Sequence, residues 1–209
     1  CSGTEANEIA LRMARMATGR RGIVCTDATY HGNTELVGAM SGLPAGSERA
    51  RGFRSFPFPQ TFRTPEPGLS GEALTEAYLA GLDRAMDALE AAGDGVAALI
   101  VCSILANEGL PDIPPGFMAQ AAERVRARGG LVIADEVQAG YGRTGQWWGY
   151  QVSGFTPDIV VTGKPMGNGV PLAATTASRA LVETFRSRTR YFNTFASSPL
   201  QAAAGHAIA

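Results

Sequence analysis

The sequence predicts an α/β fold: a mainly parallel sheet flanked by helices. Short apolar runs alternate along the chain with stretches of helical periodicity, the order that strand–helix crossovers produce. The runs are near-continuous strings of Val, Ile, Leu and Ala with little polar alternation, as in strands covered on both faces. A third observation concerns chemistry. Two of the runs end in an acid and a lysine, and ligands of open α/β sheets bind outside the carboxyl ends of strands.

Taken in order, the first element is a helix over Glu5–Thr18. Ser2 and Thr4 are good N-cap residues, Ser2 to Glu5 has capping-box spacing, and Gly19 follows the last turn. The free N–H groups of its first turn, with Gly3 allowing close approach, can form an anion site; alone, the motif reads as an ordinary capped helix, and only in combination with the strand-end residues does it point to phosphate. A strand follows at Gly22–Thr26. Between Ser41 and Gly71 lies a stretch rich in Gly, Pro and Arg (Arg49, Arg51, Arg54, Arg63) that reads as a long solvated connection without chemistry. A helix over Glu72–Ala92 turns Leu74, Ala77, Tyr78, Ala85, Met86 and Leu89 to one side. Strand Val96–Cys102, helix Gly116–Arg128 and strand Leu131–Ala134 come next, the last ending in Asp135-Glu136-Val137-Gln138. Strand Asp158–Thr162 runs into the bend Gly163-Lys164-Pro165-Met166-Gly167-Asn168-Gly169, where glycine and proline constrain the backbone. Strand Leu172–Thr176 and helix Arg179–Ser187 complete the pattern, and the chain stops in a helix-like segment.

Asp135 and Lys164 suggest a cofactor that needs a carboxylate at one end and an amine at the other. Pyridoxal phosphate has those needs: its ring nitrogen takes an anion, its aldehyde a lysine, and its phosphate a helix N-terminus. Tyr30, before His31-Gly32, is an aromatic at a strand end, a position that ordinary core packing also explains. His31 reads as a turn histidine bonded to backbone, with a proton-carrier role as the alternative.

Six motifs occur in one order: Ser2-Gly3-Thr4-Glu5-Ala6-Asn7-Glu8, Tyr30-His31-Gly32, Ile133 to Gln138, Gly142-Arg143-Thr144-Gly145, Gly163-Lys164 and Phe192-Asn193-Thr194. Together they resemble the class III aminotransferases, pyridoxal-phosphate enzymes of fold type I. The bend Gly163 to Gly169 and the segment Tyr191-Phe192-Asn193-Thr194 look most like the branch that holds alanine–glyoxylate-type aminotransferases and ethanolamine-phosphate phospho-lyases. The resemblance implies that Lys164 forms the Schiff base, with a lowered pKa supplied by desolvation and a cationic ring, and that Asp135 pairs with the ring nitrogen. It further implies that Val137 and Tyr30 flank the ring and Gln138 bonds its phenolic oxygen. Gly3 and Thr4 offer N–H groups to the phosphate, and Thr194 reaches the phosphate of a neighbouring subunit, so that a homodimer shares its active sites. Glu136 stays outside the site. The expected reaction is transamination between a small amino donor and a keto acid or aldehyde. The alternative is a lyase that eliminates phosphate from a phosphorylated amino alcohol. Where the family usually has Glu, often Glu-Pro, this chain has Cys102-Ser103, which leaves substrate preference open.

At 209 residues the chain suffices for one domain with a buried sheet. Residues 1–209 are expected to be the cofactor-binding large domain alone, with an N-terminal segment and a C-terminal small domain elsewhere in the protein. A net charge of −1 gives no argument for nucleic acid or an anionic membrane surface. No apolar run is long enough to cross a bilayer. Cys1, Cys25 and Cys102 are far apart, and with His31 and His206 they make no zinc spacing; they read as reduced thiols in a cytoplasmic protein. A nucleotide-triphosphatase reading fails, because Lys164 is followed by Pro165 and no Gly-x-x-x-x-Gly-Lys-[Ser/Thr] is present.

Overall fold

The computed structural model describes residues 1–47 and 51–208. Helix α1 (Gly3–Thr18) opens the fold. Ser2 Oγ accepts the Glu5 N–H, the Glu5 side chain accepts the Ser2 N–H, and Gly19 closes the helix at φ 68°, where a side chain would be strained. Strands β1 (Gly22–Thr26), β2 (Phe53–Phe56), β3 (Val96–Cys102), β4 (Leu131–Asp135), β5 (Ile159–Thr162) and β6 (Ala174–Ala177) form one sheet in the order β2-β1-β3-β4-β5-β6. All neighbours pair parallel except β5 with β6.

Helix α2 (Glu35–Gly38) is short. Helices α3 (Gly71–Ala91) and α4 (Phe117–Ala127) pack on one face of the sheet, in a core that includes Leu79, Leu82, Met86, Val125 and Val132. Helices α1, α2 and α6 (Arg179–Arg188) cover the other, around Leu11, Ile23, Ile100, Ile133 and Phe185. Both faces of the central strands are therefore dry, and their unbroken apolar character follows from that. Two further helices, α5 (Gly149–Ser153) and α7 (Pro199–Ile208), complete the described elements.

Two sequence expectations need correction. The segment from Ser41 to Gly71 is not only a solvated connection. It contains β2, whose residues are all buried and pair with β1; Phe53 and Phe56 drive that burial, and Arg54 is carried in with them. A four-residue strand offers no period to read. Arg51 and Arg63 are exposed as expected, while Arg49 lies outside the described residues. The last strand is Ala174–Ala177 rather than Leu172–Thr176, and it is antiparallel. The connection from Thr162 to Ala174 holds only a short 3-10 turn over Lys164–Gly167, too little chain for a parallel crossover.

The chain leaves β1 toward β2 on one side and returns to β3 on the other. At such a reversal the loops diverge and leave a crevice over the strand ends.

Candidate functional site

A cleft lies at that crevice. Gly3, Thr4, Asn7, Tyr30, His31, Gly32, Cys102, Asn107, Asp135, Val137, Gln138 and Lys164 line it. Of the eight residues the sequence singles out, the structure brings seven together here; Thr194 stands apart, exposed on a 3-10 turn near α7.

Asp135, the last residue of β4, forms the floor and is 5% exposed. Its Oδ2 accepts from Asn7 Nδ2 at 2.9 Å and lies 2.6 Å from His31 Nδ1, and its Oδ1 accepts the Val137 N–H at 3.0 Å. A buried carboxylate needs such donors to offset lost hydration. With Nδ1 turned to the carboxylate, His31 Nε2 faces Thr29 Oγ1 at 2.7 Å. His31 is thus tied to side chains rather than to backbone through its ring, contrary to the turn-histidine expectation. The two residues are 104 positions apart, and no local pattern signals their meeting.

Glycines set the spacing of the walls. A Cβ on Gly3 would stand 2.8 Å from Val137 Cγ1, and one on Gly32 would stand 2.5 Å from Thr4 Oγ1. The absence of both lets the Tyr30–Gly32 loop and the turn after β4 close onto the start of α1. Ser2 Oγ takes the Glu5 N–H and the Ser2 carbonyl takes that of Ala6. The amides of Gly3 and Thr4 remain as first-turn donors, backed by the helix dipole. Tyr30 is 43% exposed on the opposite wall. Asn107 Nδ2 donates to its carbonyl and Asn33 Nδ2 to its hydroxyl.

Lys164 rises from the end of β5, and its Nζ donates to Gln138 Oε1 at 2.9 Å. Its φ of 36° is left-handed, a strain of about 1–3 kcal/mol for a residue with a Cβ. The side chain is exposed, so the described residues do not supply the desolvation expected of it. Glu136 is fully buried and turned away from the cleft, as expected. It accepts from Ser103 Oγ and from the N–H groups of Gly149 and Tyr150. It thereby ties the ends of β3 and β4 to α5 and anchors the turn that carries Asp135 to Gln138. Cys102, opposite Asp135 across the β3–β4 ladder, is buried, and burial pushes its thiol up to about 11; it presents a neutral, protonated wall at ordinary pH. Cys25 is raised further for the same reason.

Among the described residues no group of His, Cys, Asp or Glu is arranged to hold a metal. A carboxylate on the floor, an amine at the mouth and two free helix amides within one cleft suit a planar cationic ring bearing an aldehyde and a phosphate. The whole chain, residues 1–209, matches the family profile described as aminotransferase class-III. The chain belongs to that family. Its cofactor is pyridoxal phosphate, and its mainly parallel sheet flanked by helices is that of fold type I.

Over 99% of its length this class III chain is 41% identical, at a TM-score of 0.90, to a phospholyase from Arthrobacter in complex with phosphoethanolamine. It is 30% identical, at a TM-score of 0.83, to a taurine:2-oxoglutarate aminotransferase from Bifidobacterium kashiwanohense in complex with pyridoxal phosphate and glutamate. It covers 49% and 48% of those chains. Among curated relatives it is 32% identical to an alanine–glyoxylate aminotransferase 2-like protein of Drosophila melanogaster, matching 99% of this chain and 44% of the relative. It is 34% identical to an ethanolamine-phosphate phospho-lyase homolog of Caenorhabditis elegans, matching 97% of this chain and 47% of the relative. The chain thus spans under half the length of these curated relatives. Relatives in Arabidopsis thaliana and Homo sapiens are named as mitochondrial, so similarity lends no support to the cytoplasmic expectation. Among the described residues no helix is long and apolar enough to cross a membrane.

Asn7, Thr29 and Asn107 have no role assigned by sequence reasoning, nor does the His31–Asp135 pair. Asn7 carries the one usable signal: an amide in the buried stripe of α1 among Ala6, Ile9 and Ala10.

Proposed function

We propose that residues 1–209 are the cofactor-binding large domain of an enzyme that moves an amino group from a small amino donor to a keto acid or aldehyde. The observation that carries this reading is convergence. Asp135 and Lys164 leave the ends of adjacent parallel strands and face one cleft whose third corner is the start of α1. In this reading Gly3 and Thr4 donate their amides to the phosphate, Asp135 holds the proton on the ring nitrogen, and Gln138 faces the phenolic oxygen. Val137 and Tyr30 confine the ring between them. Lys164 Nζ would hold the cofactor through its aldehyde carbon and would serve as the base that moves a proton at the donor's amine-bearing carbon. The bound group supplies an electron sink for the charge left on that carbon. Thr194 belongs to the cofactor site of a second copy, so the working unit is a homodimer with shared sites.

A second reading is elimination of phosphate from a phosphorylated amino alcohol. One observation favours it: the phospholyase neighbour that holds phosphoethanolamine is 41% identical to this chain. The cleft is compatible, since Asp135 is its only acidic lining residue among those described, and Cys102 and Asn107 are neutral where they face it. Incubating the full-length protein with an amino donor and no acceptor separates the two. Conversion of the bound cofactor to its pyridoxamine form is the expected result. Release of inorganic phosphate from phosphoethanolamine without that conversion moves the assignment to the lyase.

A further inference from the structure

We infer that Asn7 is a positioning residue for the Asp135 carboxylate, so that the first turns of α1 serve both ends of the cofactor. The inference rests on the proposed role of Asp135. Asn7 is 1% exposed. Its Nδ2 donates to Asp135 Oδ2 and to the His31 carbonyl, each at 2.9 Å. Both amide hydrogens are thereby used. The orientation of the amide is decided by chemistry, because the flipped form would set Oδ1 against two acceptors.

In this orientation Asn7 Oδ1 is buried without a partner. A buried acceptor left unpaired destabilises the fold, and its neighbours on the buried stripe, Ala6, Ile9 and Ala10, show that an apolar residue is suited to that face. What an apolar residue lacks is the pair of donors. His31 also donates to Asp135, yet its capacity depends on tautomer and charge, whereas a carboxamide donates at every pH. Asn7 stands one turn beyond Gly3, about 6 Å along the axis. Any shift of α1 therefore moves the amides that face the phosphate and the donor that faces the carboxylate together.

The test is a double-mutant cycle in full-length protein with cofactor bound. Asn7→Leu removes both donors and the orphaned acceptor while keeping the same branched heavy-atom skeleton. Borohydride reduction should still fix the cofactor on Lys164, and the absorption band of the bound cofactor should shift. Turnover with the amino donor should fall about ten- to a hundredfold, the range for one hydrogen bond to a charged group. In an Asp135→Asn background the same substitution should leave the band in place and change turnover by no more than about twofold, since the partner it acts through is gone. Equal losses in both backgrounds, or an unchanged band and rate in Asn7→Leu, overturn the inference and leave the functional reading standing. An adduct on another lysine overturns the functional reading and this inference with it. If Asn7→Leu does not fold, Asn7→Ala enters the same cycle, and the same outcomes decide it.

Discussion

Lys164 Nζ and Gln138 Oε1 meet at 2.9 Å across the mouth of the cleft, one from the end of β5 and the other from the turn after β4. Gln138 thereby fixes the amine in the same cleft that Asp135 lines, and in the proposed reading a bound aldehyde would meet it there.

Protein of full length is expected to be yellow, and borohydride should fix the colour-bearing group on Lys164. Peptide mapping of the reduced protein checks this. Lys164→Ala should lose turnover yet retain some cofactor through the amides at the start of α1.

Asp135→Asn should bind cofactor and lose turnover by a hundredfold or more. A preorganised charge of this kind is worth about 3–4 kcal/mol in the transition state, and an amide cannot hold the ring nitrogen protonated. Steady-state kinetics with near-full activity would remove Asp135 from that role.

Gly3→Ala should weaken cofactor retention, because its methyl would stand 2.8 Å from Val137 Cγ1. Overpacking of this kind costs about 1–3 kcal/mol. Trimming the obstruction in Gly3→Ala/Val137→Ala should recover part of the loss, as measured by equilibrium dialysis of the cofactor.

Thr194→Ala should release cofactor more readily while leaving unchanged the chemistry of what stays bound. Mixing it with Lys164→Ala protein should yield heterodimers in which one site carries both lesions and the other neither. Recovered cofactor affinity in the mixture supports a shared site. No recovery, with subunit exchange verified by mass, places Thr194 within its own chain's site.

Stability should decline from about pH 9 upward. The Cys102 thiol is raised from an ordinary 9.0 to about 11 by burial. Between those values the unfolded chain has released a proton that the folded chain keeps, so rising pH favours unfolding. The loss attributable to Cys102 should approach about 2 kcal/mol by pH 11. Denaturant unfolding of Cys102→Ala across this range should give a correspondingly shallower slope.

The framework was legible because its strands are dry on both faces and its helices carry caps that can be named. β1 and β3 fall where the residue pattern places them, and the capping box at Ser2 and Glu5 forms as its spacing indicates. β2 escaped because four residues in a polar stretch have no period, and β6 was displaced because the reversal after Lys164 consumes Leu172. In the site, Asp135, Lys164 and the start of α1 were readable from strand ends and a helix cap, while Tyr30, Val137 and Gln138 were reached through family resemblance. The residues that orient them were not readable. Asn7 and His31 act through contacts with Asp135 that span the sheet, and Thr29 acts only through His31; the sequence around each resembles an ordinary helix or turn.

The separation of those contacts along the chain has a kinetic side. Asn7 and Asp135 are 128 residues apart, and His31 and Asp135 are 104 apart, with β1, β3 and β4 ordered side by side between them. Closing loops of that length costs entropy before any contact compensates. The floor of the cleft thus comes into being only after the central strands have found their order. During refolding, uptake of cofactor colour should lag the gain of helical signal, which makes the chromophore a reporter of the last long-range pairing rather than of collapse.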